Sequence, residues 1–98
     1  MREVVISQDV QRKIDDLELF LKDQLKLSKE AAMRRCDRMD KLFESLGSRV
    51  DYPLCRFAKW KSLGYRCVVF EKNWVFAYEI FEDGVIVRDM SHTSLLVK

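Results

Sequence analysis

Two hydrophobic rhythms run along this chain, and the change between them near Ser48 separates helices from strands. Val4, Val5 and Ile6 are consecutive β-branched residues, which predicts a short strand over Glu3–Ile6. Ser7 can cap a following helix, and Asp9 suits the positive end of its dipole. Val10, Ile14, Leu17, Leu21 and Leu25 then recur at helical spacing, opposite Gln11, Arg12, Asp15, Asp16, Glu18, Lys22 and Asp23. Lys26 and Leu27 close this helix, and Ser28 caps the next, with Glu30 in its first turn. Its stripe is Ala32, Cys36, Met39, Phe43 and Leu46, and its polar side carries Arg34, Arg35, Asp37, Arg38, Asp40 and Lys41. Gly47 is the expected left-handed stop. Each helix approaches twenty residues, about 30 Å at ~1.5 Å per residue. So short a link folds them into a hairpin whose apolar stripes need a sheet to cover.

Past the loop Ser48–Pro53 the period becomes two. Leu54–Lys61 alternates as a strand, and Leu63-Gly64 turns the chain. Tyr65–Glu71, Trp74–Glu82 and Val85–Met90 follow as strands, separated by Lys72-Asn73 and Asp83-Gly84. Asp-Gly is a strong two-residue hairpin signal, and Asn also tolerates the positive φ such turns require. With two-residue turns the pairing runs outward one for one, placing Arg66 opposite Glu79 and Glu79 opposite Arg88. One face then holds Cys67, Val69, Trp74, Phe76, Tyr78, Ile80, Val85 and Val87, and should lie under the helices. The open face holds Arg66, Val68, Phe70, Val75, Ala77, Glu79, Ile86, Arg88, Met90 and His92.

Composition narrows the class. At 98 residues, 48% hydrophobic and 35% charged, the chain is expected to form one domain, residues 1–98. It has no apolar run long enough to span a bilayer, and Met1-Arg2-Glu3-Val4 lacks the apolar stretch of a signal peptide. Cys36, Cys55 and Cys67 are odd in number and widely spaced. This argues for a reducing compartment, and against a disulfide framework or a zinc site. One histidine excludes a multi-histidine metal centre. The net charge of +2 selects no partner, but Arg49–Lys72 carries six basic residues against two acidic ones. Arg56, Lys59, Lys61 and Arg66 belong to this strip, which can attract a phosphate backbone or an acidic protein segment, or simply protect a strand edge.

The row Arg66, Glu79, Arg88 sets one carboxylate between two guanidinium groups. It can be a cross-strand ion pair worth under about 1 kcal/mol. It can equally hold a phosphate, with Glu79 positioning the arginines or acting as a base, and with Phe70, Val75 and Met90 beside it to meet bases.

In Leu63-Gly64-Tyr65-Arg66, Trp74-Val75-Phe76-Ala77-Tyr78-Glu79-Ile80 and Gly84-Val85-Ile86-Val87-Arg88-Asp89-Met90-Ser91-His92, the chain resembles the RelE/ParE superfamily of bacterial type II toxin–antitoxin toxins. The resemblance implies an α+β fold of order β-α-α-β-β-β-β, with the helical hairpin on one face of an antiparallel C-terminal sheet. It implies a growth-inhibiting cytoplasmic toxin, neutralised by a cognate antitoxin protein, with no cofactor, metal or membrane partner. Two activities divide that superfamily. ParE-like members inhibit DNA gyrase and often have a long helical hairpin, as expected here. RelE-like members are metal-independent endoribonucleases that cut mRNA on the ribosome. The second activity needs a base for the 2′-OH, an acid for the leaving 5′ oxygen and cations for the phosphorane. For that branch Arg66 matches the strand arginine, Lys59 and Lys61 match the basic residues before the turn, and Arg88 and His92 fall near the C-terminal catalytic positions. Thr93, Ser94, Leu95, Leu96 and Val97 lack the Tyr or Arg that either branch often carries there, which tilts the expectation towards gyrase inhibition.

Overall fold

The computed structural model describes residues 2–23, 26, 28–48 and 51–96. Leu25, Leu27, Arg49 and Val97, which the sequence reading uses, lie outside these residues. The fold is α+β, in the expected order of strand, two helices and C-terminal sheet. Its elements are β1 (Glu3–Ile6), α1 (Gln8–Asp23), α2 (Lys29–Ser45), the single turn α3 (Ala58–Lys61), β2 (Arg66–Phe70), β3 (Trp74–Phe81) and β4 (Gly84–His92). A 3₁₀ turn over Thr93–Leu95 follows. The sheet order is β1-β4-β3-β2. β1 runs parallel to β4, and the other pairs are antiparallel.

The caps form as the sequence dictates. Ser7 Oγ accepts from the Val10 amide at 3.2 Å, and Ser28 Oγ accepts from Ala31 at 3.1 Å, each satisfying an orphan donor of a first helical turn. The two helices have 16 and 17 residues, a little shorter than their stripes suggest. The stop of α2 needs no left-handed glycine, because its C-cap is Leu46 at φ −68°. Val10, Ile14, Met39 and Leu46 are buried against Val68, Phe70, Phe76, Tyr78, Val85, Val87 and Met90. Phe43 meets Phe76 edge to face at 5.0 Å.

Both hairpins depart from the expected register, for identifiable reasons. The β2–β3 turn has three residues, so Phe70 pairs with Trp74 and Arg66 with Tyr78. Glu71 leaves the strand at φ 52°. Its carboxylate bridges α2, meeting Arg35 Nη1 at 2.5 Å and also pairing with Arg38. Arg35 is buried, its guanidinium 5.3 Å from the Phe70 ring centre, and a buried cation demands an anion. That demand outweighs the local preference of Lys72-Asn73 for a two-residue turn. A one-residue slip turns every side chain of β2 over. Val68 and Phe70 therefore face the helices, while Cys67 and Val69 face away.

The β3–β4 turn lies at Glu82-Asp83, with Phe81 paired to Gly84. Gly84 is needed for a close approach: a Cβ there would stand 2.4 Å from the Glu3 carbonyl oxygen and 2.9 Å from the Phe81 ring. Further on, Arg88 is an extra residue in β4, since Ala77 pairs with Asp89 but Tyr78 with Val87. This bulge restores Met90 to the helix side.

The strand expected over Leu54–Lys61 does not form. Only Leu54 bridges β2, opposite Arg66, before the chain winds into α3. Winding buries Cys55 and Trp60 together over Val75 and Ala77, in a second apolar cluster on the sheet's other face. The face expected to be open is thus partly covered. The expectation against disulfides also fails: Cys55 and Cys67 are bridged, with Cα atoms 4.9 Å apart. The slip of β2 is what brings Cys67 to the face where Cys55 lies. Cys36 stays a free thiol.

Candidate functional site

The Arg66–Glu79–Arg88 row forms only in part. Arg88 Nε donates to Glu79 Oε2 at 3.0 Å, an exposed pair linked diagonally, since Glu79 sits opposite Ile86. Arg66 is opposite Tyr78, on the other side of the sheet from Glu79, and donates to the Tyr52 carbonyl at 2.8 Å. The two arginines therefore make no common phosphate clamp. Arg66 instead joins a structural network in the 51–53 loop. There Arg2 pairs with Asp51, the Tyr52 amide donates to Tyr78 Oη at 2.9 Å, and Arg2 Nε donates to the Leu46 carbonyl at 3.0 Å. The Arg2 hydrogen bond holds the Asp51 carboxyl below its usual range, against the opposing effect of burial. Burial is the main cause that raises the Tyr78 phenol.

His92 lies at the far end of the sheet. It pairs with Trp74, which is also opposite Phe70, four residues along β2 from Arg66. At about 3.3 Å per residue this separates the two by roughly 13 Å along the strand. The His92 ring stands edge-on to Trp74 at 5.2 Å. Its Nδ1 accepts from the Ser94 amide at 3.2 Å and lies 2.8 Å from Ser94 Oγ. With Nδ1 accepting from the amide, the neutral ring carries its proton on Nε2.

Around His92 is a cleft of about 470 Å³, to which Lys13, Asp16, Lys59, Trp74 and Ser91 also contribute, with Leu17, Met90 and Leu95 as its apolar wall. The geometry has a clear origin. β1 ends at Ile6, opposite Val87, so among the described residues β4 has no strand neighbour on that side from Arg88 onward. Side chains of α1 and α3 meet at this uncovered edge, and Asp89 ties them together. It receives Lys13 Nζ at 2.6 Å and Trp60 Nε1 at 3.1 Å, and caps the Met90 amide at 2.8 Å. Burial pushes the Asp89 carboxyl up, but those hydrogen bonds and the Lys13 charge prevail and hold it below its usual range. Lys59, next to the anchored Trp60, lies with its ammonium 5.0 Å from that indole ring. The cleft thus gathers two lysines, an imidazole and a tryptophan.

Comparison with family models, curated proteins and solved structures returned no match.

Of the residues expected from the sequence, Lys59 and His92 share the cleft. Arg66, Glu79 and Arg88 do not line it; Arg56, just before α3, and Lys61, its last residue, are exposed. Lys13, Asp16, Trp74 and Asp89 were missed as site residues. One carried a readable signal: Asp89 continues the alternating row Val85, Val87, whereas Lys13 flanks the α1 stripe and is exposed. A charge in an apolar row marks a partner across the fold.

A groove of about 290 Å³ between α1 and α2 is lined by Asp15, Glu18, Leu21, Arg35 and Cys36, among others. Cys36 Sγ donates to Glu18 at 3.2 Å, and that bond, with burial and the nearby acidic charges, raises the thiol. This groove holds neither the imidazole nor the lysine pair. No helix among the described residues is long and apolar enough to cross a membrane.

Proposed function

We propose that this chain is a toxin of the RelE/ParE kind, and that its cleft cuts RNA in a ribosome-dependent reaction. The supporting observation is the gathering of Lys13, Lys59 and His92 around one opening beside Trp74. In this reading the two ammonium groups take the charge that develops on the phosphorane. His92, protonated to the imidazolium with Nδ1–H donating to Ser94 Oγ, gives its Nε2 proton to the leaving 5′ oxygen as the substrate's 2′-OH attacks phosphorus, and returns to the neutral ring. Asp89 is occupied by Lys13, Trp60 and the Met90 amide, so Asp16 is the cleft carboxylate that takes the 2′-OH proton. Trp74 and the apolar wall give a base a surface to lie against. This ordering of the two activities reverses the one expected from the C-terminal tail.

One observation supports gyrase inhibition instead. Leu19, Phe20 and Met33 are large apolar side chains exposed on α1 and α2. Such a surface suits a protein partner, either the target or the cognate antitoxin.

A translating extract separates the activities. The purified protein is expected to cut mRNA there and to leave gyrase supercoiling unchanged. Intact mRNA together with blocked supercoiling would reverse the assignment.

A further inference from the structure

We propose that the Cys55–Cys67 disulfide is a reversible redox latch that holds the 55–67 segment, and with it Lys59, against the candidate cleft. The bond closes a chain ring with a sequence separation of 12. That ring carries Arg56, Lys59, Trp60 and Lys61. Its apolar support is the smaller of the two clusters: among the described residues Cys55, Trp60, Val75 and Ala77 are buried, with Phe57, Tyr65 and Leu96 partly buried against them, against eleven buried residues under the helices. Among the described residues the other ties are these. The Cys55 amide donates to Tyr65 at 2.9 Å, the Cys67 amide donates to Pro53 at 3.3 Å, and Trp60 holds Asp89. Opening the ring returns loop entropy to a segment otherwise held by Trp60 and a small cluster. That segment can then open locally while the main core stays closed.

The exchange is balanced with a dithiol as reductant. Its thiolate attacks Cys67 Sγ, since Cys67 is the less buried partner, and the S–S bond breaks with Cys55 leaving as a thiolate that takes a proton. The reductant's second thiol then displaces Cys67 from the mixed disulfide. The protein gains two electrons and two protons as two thiols, and the reductant ends as a disulfide. A small disulfide such as oxidised glutathione runs the exchange backwards.

The consequence for catalysis rests on the nuclease reading; the latch does not. Amide hydrogen exchange measured on oxidised and dithiothreitol-reduced protein tests it. Reduction is expected to speed exchange at least tenfold over residues 56–64 and to leave β3 unchanged, and glutathione disulfide is expected to restore protection. The Cys55→Ser variant should match the reduced protein whatever the buffer. Equal protection of residues 56–64 in both redox states of the natural chain would overturn the proposal, whether or not the variant folds. So would a thiol pair that glutathione disulfide cannot close. RNA cleavage is followed in parallel and should fall on reduction. Absence of cleavage in both states counts against the nuclease reading alone, because the exchange readout does not depend on it.

Discussion

Trp60 donates its indole N–H to Asp89 across 3.1 Å, and so fastens the short helix α3 to the uncovered edge of β4. The same carboxylate receives Lys13 from α1 at 2.6 Å. One acidic side chain thus sets the spacing of two elements that each bring a lysine to the cleft. Asp89→Asn removes the charge that Lys13 pairs with and weakens the acceptor for a buried indole. A loss of about 1–3 kcal/mol is expected, the usual range for disturbing a buried hydrogen-bonded group, read by urea unfolding. Trp60→Phe keeps the ring and loses the donor, and should cost about 1 kcal/mol.

Asp51 and Asp89 both have carboxyl groups held below their ordinary value of 3.8. A folded pKa below the unfolded one means the unfolded chain binds more protons within that window. The stabilisation is therefore complete above the ordinary carboxylate range and is lost as pH falls through the folded values. Unfolding free energy should drop steeply below about pH 4. The double variant Asp51→Asn, Asp89→Asn should show a flatter acid limb in the same titration.

Glu71 answers both Arg35 and Arg38 at the tip of the β2–β3 turn. Glu71→Ala leaves the largely buried Arg35 without its anion. A cost of about 3 kcal/mol is expected, near the range for stripping one partner from a buried pair. Arg38 is more exposed, so Arg38→Ala should cost under about 1 kcal/mol. Equal losses in the two variants would contradict the view that the buried arginine dictates the turn.

Gly84→Ala would press a methyl group onto the Glu3 backbone, which cannot swing aside as a side-chain end can. A destabilisation of at least about 1–3 kcal/mol is expected. It should be accompanied by loss of protection at the β1–β4 pairing in hydrogen exchange.

Much of the scaffold was legible because periodicity reports burial directly. The stripes through Val10, Ile14 and Met39, the caps Ser7 and Ser28, and the inward row Trp74, Phe76, Tyr78, Val85, Val87 all stand. What could not be read was set by contacts distant in sequence. Arg35 is 36 residues from Glu71, yet its need for an anion lengthens a turn and turns β2 over. That slip separates Arg66 from Glu79 and brings Cys67 to Cys55. The β3–β4 turn at Glu82-Asp83, one residue earlier than the Asp-Gly signal suggests, likewise puts Ile86 and not Arg88 opposite Glu79. A residue pattern alone registers neither event. Of the site, Lys59 and His92 were visible as chemistry, Asp89 only as a charge out of place in an apolar row, and Lys13 not at all.

Arg66 gives a sharp contrast with the residues around the cleft. It lies at the other end of β2 and holds a backbone carbonyl of the 51–53 loop. Arg66→Ala is expected to lower stability by about 1 kcal/mol, the scale of one hydrogen bond, and to change RNA cleavage less than tenfold. Lys59→Ala and His92→Ala should instead each reduce cleavage about 100-fold or more, the scale of one catalytic group, with little change in unfolding.

The central claim is that the cleft between α1, α3 and the end of β4 receives RNA. Backbone chemical-shift mapping with a short single-stranded RNA, made uncleavable by 2′-deoxy substitution, tests this most directly. The account predicts that the largest shifts fall on Lys13, Lys59, Trp74, Ser91 and His92. Shifts confined to the helical hairpin around Leu19, Phe20 and Met33, or no shifts at all, would contradict it.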